Sequence, residues 1–450
     1  MKRVAEESSR SERPCVGANR SFSQPTLRAM PMLPATLLFS FMLVASLAVK
    51  LWLSTRQMRH VATHRNAVPS AFEGTVSLHA HHKAADYTLA KGRFGLISTA
   101  VGTATVLAWT LLGGLDALNA FVRDSVQPRW GSMAYQLVLI GAFAIISALI
   151  DLPGDLYNTF RLEQRHGFNR MTWAMYFTDM LKSTVIALVI GTPIAALVLW
   201  IMGSAGGMWW VYAWVAWMAL NLLLLVLYPT IIAPLFNKFR PLDDDTLRQR
   251  VQTLMTRCGF ESKGLFVMDG SKRSAHANAY FTGFGASKRV VFFDTLLAKL
   301  SPQEVEAVLA HELGHFKLNH VIKRIGSMFL TSLVALALLG WLSRQTPFYT
   351  SLGVQPSMAA PNDALALLLF MLVLPIFTFF GAPLFARMSR RHEFEADAYA
   401  AQQSSGRDLA NALLKLHEDN ASTLTPDPVY VRFYYSHPPA SERLAALANQ

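Results

Sequence analysis

The sequence predicts an all-α polytopic membrane protein of about seven transmembrane helices, joined to a cytoplasmic domain of helices plus a small β-hairpin. Three observations carry that expectation. Hydrophobic residues fill 52% of the 450 positions against 16% charged, and the mean hydropathy is +0.29, too apolar for an ordinary soluble chain. The apolar residues collect into runs near the ~20 residues that a spanning helix needs. Lys and Arg gather on alternate connections between those runs.

In order, the runs are Leu33–Leu53, interrupted by Lys50, then Phe94–Leu115, Gly131–Ile150, Ser183–Met202, Met208–Phe236, Ile325–Leu342 and Ala364–Ala386. The fifth opens on Trp209, Trp210, Trp214 and Trp217, which suit either an interfacial belt or a packed bundle face. Pro375 inside the seventh predicts a kink rather than a break, because neighbouring helices re-satisfy the freed carbonyl.

Seven crossings place segments 54–93, 151–182, 237–324 and the tail after 386 on one side, with most of the +12 net charge. The opposite loops, 116–130, 203–207 and 343–363, carry Arg123, Arg129 and Arg344 as their basic residues. The asymmetry predicts that the first set is cytoplasmic. Against it stands the basic, Ser-rich stretch 1–30, expected either to be disordered or to precede a true start at Met30 or Met32. The expected organisation is therefore a basic tail at 1–30, helices 1–5 with their loops over 31–236, a catalytic loop domain at 237–324, helices 6–7 over 325–386, and the C-terminal part of the catalytic domain at 387–450. Cys15 and Cys258 fall on opposite predicted sides, so no disulfide framework or Cys-based metal site is expected.

The chemistry begins at Ser301-Pro302-Gln303-Glu304, where a serine cap, a proline at the first helical position and a glutamate three residues on predict a helix start. No strong breaker precedes Leu342, so the helix is expected to run directly into the sixth span. It carries His311-Glu312-Leu313-Gly314-His315. On a helix, residues i and i+4 share a face, so His311 and His315 can offer imidazole nitrogens to one zinc while Glu312 flanks it as a base.

A catalytic zinc takes three protein ligands and leaves a position for water. Val321 stands where a third histidine ten residues after His311 would be, and His320 is out of register with the pair and reads as an interfacial histidine. The better source is Arg390-Arg391-His392-Glu393-Phe394-Glu395-Ala396-Asp397, just past the seventh span. Glu393 and Asp397 share a helix face, one as ligand and the other able to orient a metal-bound histidine; Glu395, on another face, reads as solvated. His315 and Glu393 lie at similar distances beyond spans six and seven, which form a hairpin, so the metal is expected at the membrane mouth.

Five stretches accompany this pair of helices: HELGH at 311–315, EFEAD at 393–397, HANAYFTGF at 276–284, SHPPASER at 436–443 and FRLEQRHGFNRMT at 160–172. Together, over residues 35 to 447, they resemble the type I CAAX prenyl proteases, integral membrane zinc metalloproteases of the gluzincin type with seven helices. The resemblance implies that His311, His315 and Glu393 bind one zinc, that Glu312 is the general base and that Asp397 supports a ligand from behind. It further implies that Asn278 and Tyr280 meet substrate along an edge strand, that His437 and Arg443 face the scissile carbonyl, and that the helices enclose a large water-filled chamber. Read without the resemblance, AYFTGF and KRVVFFDTLL form an antiparallel pair with a Gly-containing turn, His437 belongs to a turn before Pro438 and Pro439, and FRLEQRHGFNRMT is a basic loop without chemistry.

The expected activity is metal-assisted peptide hydrolysis with Glu312 accepting the proton of water. A membrane-protein quality-control zinc protease is the alternative within the class, although related enzymes of that kind usually have fewer spans. An inactive scaffold or a transporter is more distant, since the spans carry almost no ionisable groups and Glu312 is intact. The expected partners are a peptide or protein substrate at the membrane and the lipid bilayer, with no nucleic acid. The expected location is multi-pass and integral to a membrane, the inner or plasma membrane if the source is bacterial, with the active site on the cytoplasmic side.

Overall fold

The computed structural model describes residues 32–282 and 287–448. The expectations for residues 1–30 and for Cys15 fall outside the described residues, as do Gly283 and Phe284 of the HANAYFTGF stretch. Among the described residues, six helices are long and apolar enough to cross a membrane. The first is α1 (Leu33–Thr63); after α2 (Leu78–Trp109) come α3 (Gly114–Glu163), α4 (Trp173–Ser204) and α5 (Gly206–Phe236), and further along His320–Leu342 and Asp363–Gln403. The other expected run, Phe94–Leu115, falls on α2. That helix stops at Trp109, short of Leu111 and Leu112, and Thr99, Gly102, Thr103 and Thr105 dilute its apolar end.

These helices are interrupted where the sequence dictates. Gly131 breaks α3 with φ 79°, a left-handed conformation that glycine adopts without steric cost. The break folds the two halves so that Tyr135, fully buried, donates its hydroxyl hydrogen bond to Asn119. Wider π turns at Ala187–Gly191 and Tyr228–Ile232 accompany Pro193 and Pro229, which have no N–H to close an ordinary α turn. Of the four tryptophans opening α5, Trp209 is buried, Trp210 abuts Gly340 and the Trp214 indole donates to the Phe329 carbonyl at 2.9 Å. These three serve a packed face, and Trp217 remains exposed.

Beyond α5 the chain leaves the apolar helices and forms a four-stranded sheet: β1 (Phe239–Pro241), then helix α6 (Asp245–Cys258), β2 (Glu261–Met268), β3 (Ala279–Thr282) and β4 (Ser287–Phe293). The order is β1-β2-β4-β3, with β2 parallel to β4 and the outer pairs antiparallel. The expected antiparallel pair is β3 with β4, Tyr280 opposite Val291, and β3 is an edge strand. The sheet is larger than the expected hairpin. Val290, Val291 and Phe292 of β4 are buried, as suits a central strand covered on both faces.

Next comes α7 (Pro302–Lys317), whose capping box forms as expected: the Ser301 hydroxyl accepts from Glu304 N–H and the Glu304 carboxylate accepts from Ser301 N–H at 2.7 Å. The helix does not run on into the membrane. It ends at Lys317, and Asn319, with φ 59°, turns the chain before α8 (His320–Leu342). Asparagine is among the few non-glycine residues that tolerate this conformation. The last span divides into α9 (Asp363–Thr378) and α10 (Ala382–Gln403) across a 3₁₀ turn at Phe379–Gly381. Pro375 sits inside α9 without breaking it. Three helices finish the chain: α11 (Gly406–Asp419), α12 (Pro428–Tyr434) and α13 (Ala440–Ala448). Leu254, Phe292, Leu309, Leu313 and Leu413 share one apolar core that holds α6, the sheet, α7 and α11 together.

Candidate metal centre

Helices α7 and α10 meet at a glycine. A Cβ on Gly314 would lie 3.2 Å from the Ala396 Cα and 3.1 Å from the Tyr399 ring, so the small pair Gly314 and Ala396 sets how closely the backbones approach. Both residues are buried, Ala396 completely. The closeness brings the i, i+4 pair of α7 against the i, i+4 pair of α10.

His311 Nε2 and His315 Nε2 lie 3.3 Å apart. Glu393 bridges them, with Oε1 3.4 Å from His315 Nε2 and Oε2 3.5 Å from His311 Nε2. One ligand atom from each of the three lies within 4.8 Å of the others. Glu393 is 4% exposed, and its Oε2 is buried without a hydrogen-bond partner. A buried carboxylate oxygen left unpaired is costly unless something else meets it. Two imidazoles and one carboxylate around a common point suit a divalent cation.

One turn further along α10, Asp397 stands behind His311. Its Oδ1 is 2.8 Å from His311 Nδ1, and Arg443 of α13 donates to its Oδ2 at 2.7 Å. The Arg443 guanidinium also lies 3.8 Å from Glu393. Burial opposes a charge on His311, but the carboxylates of Asp397 and Glu393 outweigh it and lift the His311 pKa to about 9. His437 is mostly exposed and lies 3.5 Å from Glu393 Oε1. Glu312 is half-buried and makes no hydrogen bond or ion pair among the described residues.

The structure thus gathers His311, His315, Glu393, Asp397, Arg443 and His437. Asn278 and Tyr280 belong to the sheet edge instead. Asn278 lies one residue ahead of β3 rather than on it, with its carbonyl accepting from Phe293 N–H at 3.0 Å; Tyr280 is on β3 and its ring packs edge-on against Phe293.

Three expectations change. His320 is buried, not interfacial, because the turn at Asn319 swings it back towards the pair: its Nδ1 is 3.1 Å from His315 Nδ1 and its Nε2 is 2.9 Å from Glu395. Glu395 is accordingly engaged rather than merely solvated. The stretch 160–172 also has more to do than a basic loop. Glu163 accepts from the Tyr87 hydroxyl at 2.7 Å and lies 3.3 Å from Lys91, while Phe168 stacks on His276 and its carbonyl accepts from Ala275 N–H. An isolated antiparallel bridge joins Asn169 to Ser274. The loop before β3 is thereby pinned to α2 and α3.

Gly314→Ala should destabilise the protein by about 1–3 kcal/mol, the usual cost of overpacking a close contact. Chemical denaturation in detergent, with Gly326→Ala in the open part of α8 as control, measures it.

Residues 57–238 match the family described as CAAX prenyl protease N-terminal, five membrane helices, and residues 241–450 match peptidase family M48. CAAX prenyl protease 1 homolog of Arabidopsis thaliana is 36% identical over 85% of this chain and 91% of its own. CAAX prenyl protease 1 of Saccharomyces cerevisiae is 33% identical over 95% and 98%, and the human homolog 32% identical over 91% and 95%. The crystal structure of S. mikatae Ste24p superposes with a TM-score of 0.86 at 33% identity, covering 92% of this chain and 99% of that one. Helices, site and relatives agree: the chain belongs to the CAAX prenyl protease family of M48 peptidases, metalloproteases embedded in the membrane.

Proposed function

We propose that His311 and His315 through Nε2, and Glu393 through its carboxylate, hold one Zn²⁺, and that the chain cleaves peptide bonds of membrane-associated substrates on the cytoplasmic side. The observation that carries the reading is the buried Glu393 carboxylate, which turns one oxygen to each of two imidazole nitrogens and whose Oε2 has no hydrogen-bond partner among the described residues. When bound, zinc supplies a Lewis acid that polarises the scissile carbonyl and makes water easier to deprotonate.

The chain's own groups do the rest. Glu312, whose side chain has no hydrogen bond or ion pair among the described residues, accepts the proton of the attacking water and returns it to the leaving amine. Asp397, tied to Arg443, takes the His311 Nδ1–H and so directs the Nε2 lone pair inwards. His437 and Arg443 donate to the oxyanion that develops on the carbonyl, a contribution of about 3 kcal/mol for one such donor. The unpaired edge of β3, with Asn278 and Tyr280 beside it, accepts an extended peptide. The relatives' names point to substrates with a prenylated carboxy-terminal motif. The Lys/Arg asymmetry of the loops supports the cytoplasmic side.

Purified protein should contain about one zinc per chain, and Glu393→Ala should lose it; zinc retained at full stoichiometry would remove Glu393 from the ligand set. Glu312→Gln should keep zinc and peptide binding while turnover falls about 10²–10⁴-fold, because the amide cannot accept a proton. Turnover within a few-fold of wild type would exclude Glu312 as the base. A prenylated peptide should be cleaved faster than its unprenylated twin in the same membranes, and equal rates would refute prenyl recognition.

A further inference from the structure

Behind His315 lies a second group of ionisable side chains: His320, His392 and Glu395, with one donor atom each within 4.8 Å of the others. Its composition resembles a second metal site, but its geometry does not. The His320 and His392 rings are stacked, centroids 4.1 Å apart and planes within 10°. Lone pairs of parallel rings lie in parallel planes and do not converge on one ion. His320 Nδ1 is also already engaged with His315 Nδ1 at 3.1 Å.

Hydrogen-bond bookkeeping gives the group another role. His315 Nε2 faces His311 and Glu393, so as a ligand it must be bare of hydrogen, and the ring proton then sits on Nδ1. That N–H needs an acceptor, and the atom in front of it is His320 Nδ1. His320 accepts there only when its own proton is on Nε2, where Glu395 Oε2 takes it at 2.9 Å. Glu395 Oε1 accepts in turn from Arg391 Nε at 2.9 Å. Each link fixes the next. If His320 carried its proton on Nδ1, two N–H groups would oppose each other, and His315 would be driven to place its proton on Nε2, inside the centre.

We propose that Glu395 and His320 are positioning residues that set the tautomer of His315, so that this histidine presents its Nε2 lone pair to the metal. His315 thereby has a carboxylate-anchored support of its own, as His311 has Asp397, relayed through one extra imidazole. The inference rests on the zinc site proposed above.

The test is zinc affinity of the full-length protein in detergent, by competition with a chelator. His320→Phe leaves the His315 N–H without an acceptor, and Glu395→Gln, keeping its oxygen on Arg391, turns an N–H towards His320 Nε2 and inverts the relay. Both should bind zinc about 10–100-fold more weakly, the usual effect of removing a metal ligand's hydrogen-bonding support. His320→Asn puts an amide oxygen where Nδ1 was and should restore affinity to within about threefold of wild type. Wild-type affinity in His320→Phe or Glu395→Gln would overturn the relay, as would Asn failing to rescue. Two zinc ions per chain, the second lost in His392→Ala, would overturn it in favour of a second metal site. Absence of zinc from the wild-type protein would instead sink the functional reading on which the relay stands.

Discussion

The close approach of α7 and α10 at Gly314 and Ala396 is the constraint from which the rest of the centre follows. Neither helix alone assembles three ligand-type groups. Each contributes one face of an i, i+4 pair, and the faces meet only because no Cβ intrudes between the backbones. The apolar residues on the far side of α7, Leu309 and Leu313 among them, pack into the core shared with the sheet, so α7 cannot retreat from α10 without opening that core.

Charge reinforces the same contact. His311, Glu393, Asp397 and Arg443 are each less than a tenth exposed. Buried ionic groups persist only when mutually paired, and removing one partner leaves the others uncompensated. Arg443 lies on α13 and Glu393 on α10, so the centre joins these two helices, and α13 is held as well by Leu447 in the shared apolar core. The dense pairing around Asp397 makes α13 part of the centre, although it lies far from HELGH in sequence.

What was legible in the sequence was local or periodic. The capping box at Ser301 and Glu304 is a four-residue code, the membrane helices are runs of one composition, and the pairing of β3 with β4 was readable as two β-rich runs on either side of a glycine, whereas the edge position of β3 came from the family resemblance. The near approach of Glu393 to the histidine pair was expected from a helix running straight on into the sixth span; the groups do meet, but across the turn at Asn319 rather than along a continuous helix. What could not be read depended on a single dihedral or on pairing remote in sequence. Asn319 carries no strong breaker signal, yet its left-handed backbone turns His320 from out of register to 3.1 Å from His315. β1 is three residues ending on a proline, and β2 opens on polar residues with Gly264 inside it, so neither has the pattern of a strand; β2 exists because β4 offers an edge to join, and β1 because β2 does.

The described part of β3 bears on how much of a peptide laid along it, as proposed above, would be read. Strands advance about 3.4 Å per residue, so four residues from Ala279 to Thr282 align roughly 14 Å of a partner chain. Successive side chains of such a partner alternate between the two faces, leaving about two on either face for the surroundings to inspect. Two positions are a small alphabet. Main-chain hydrogen bonds are indifferent to sequence, so under the edge pairing proposed above, selectivity along this stretch would come from how a peptide is delivered more than from what it spells.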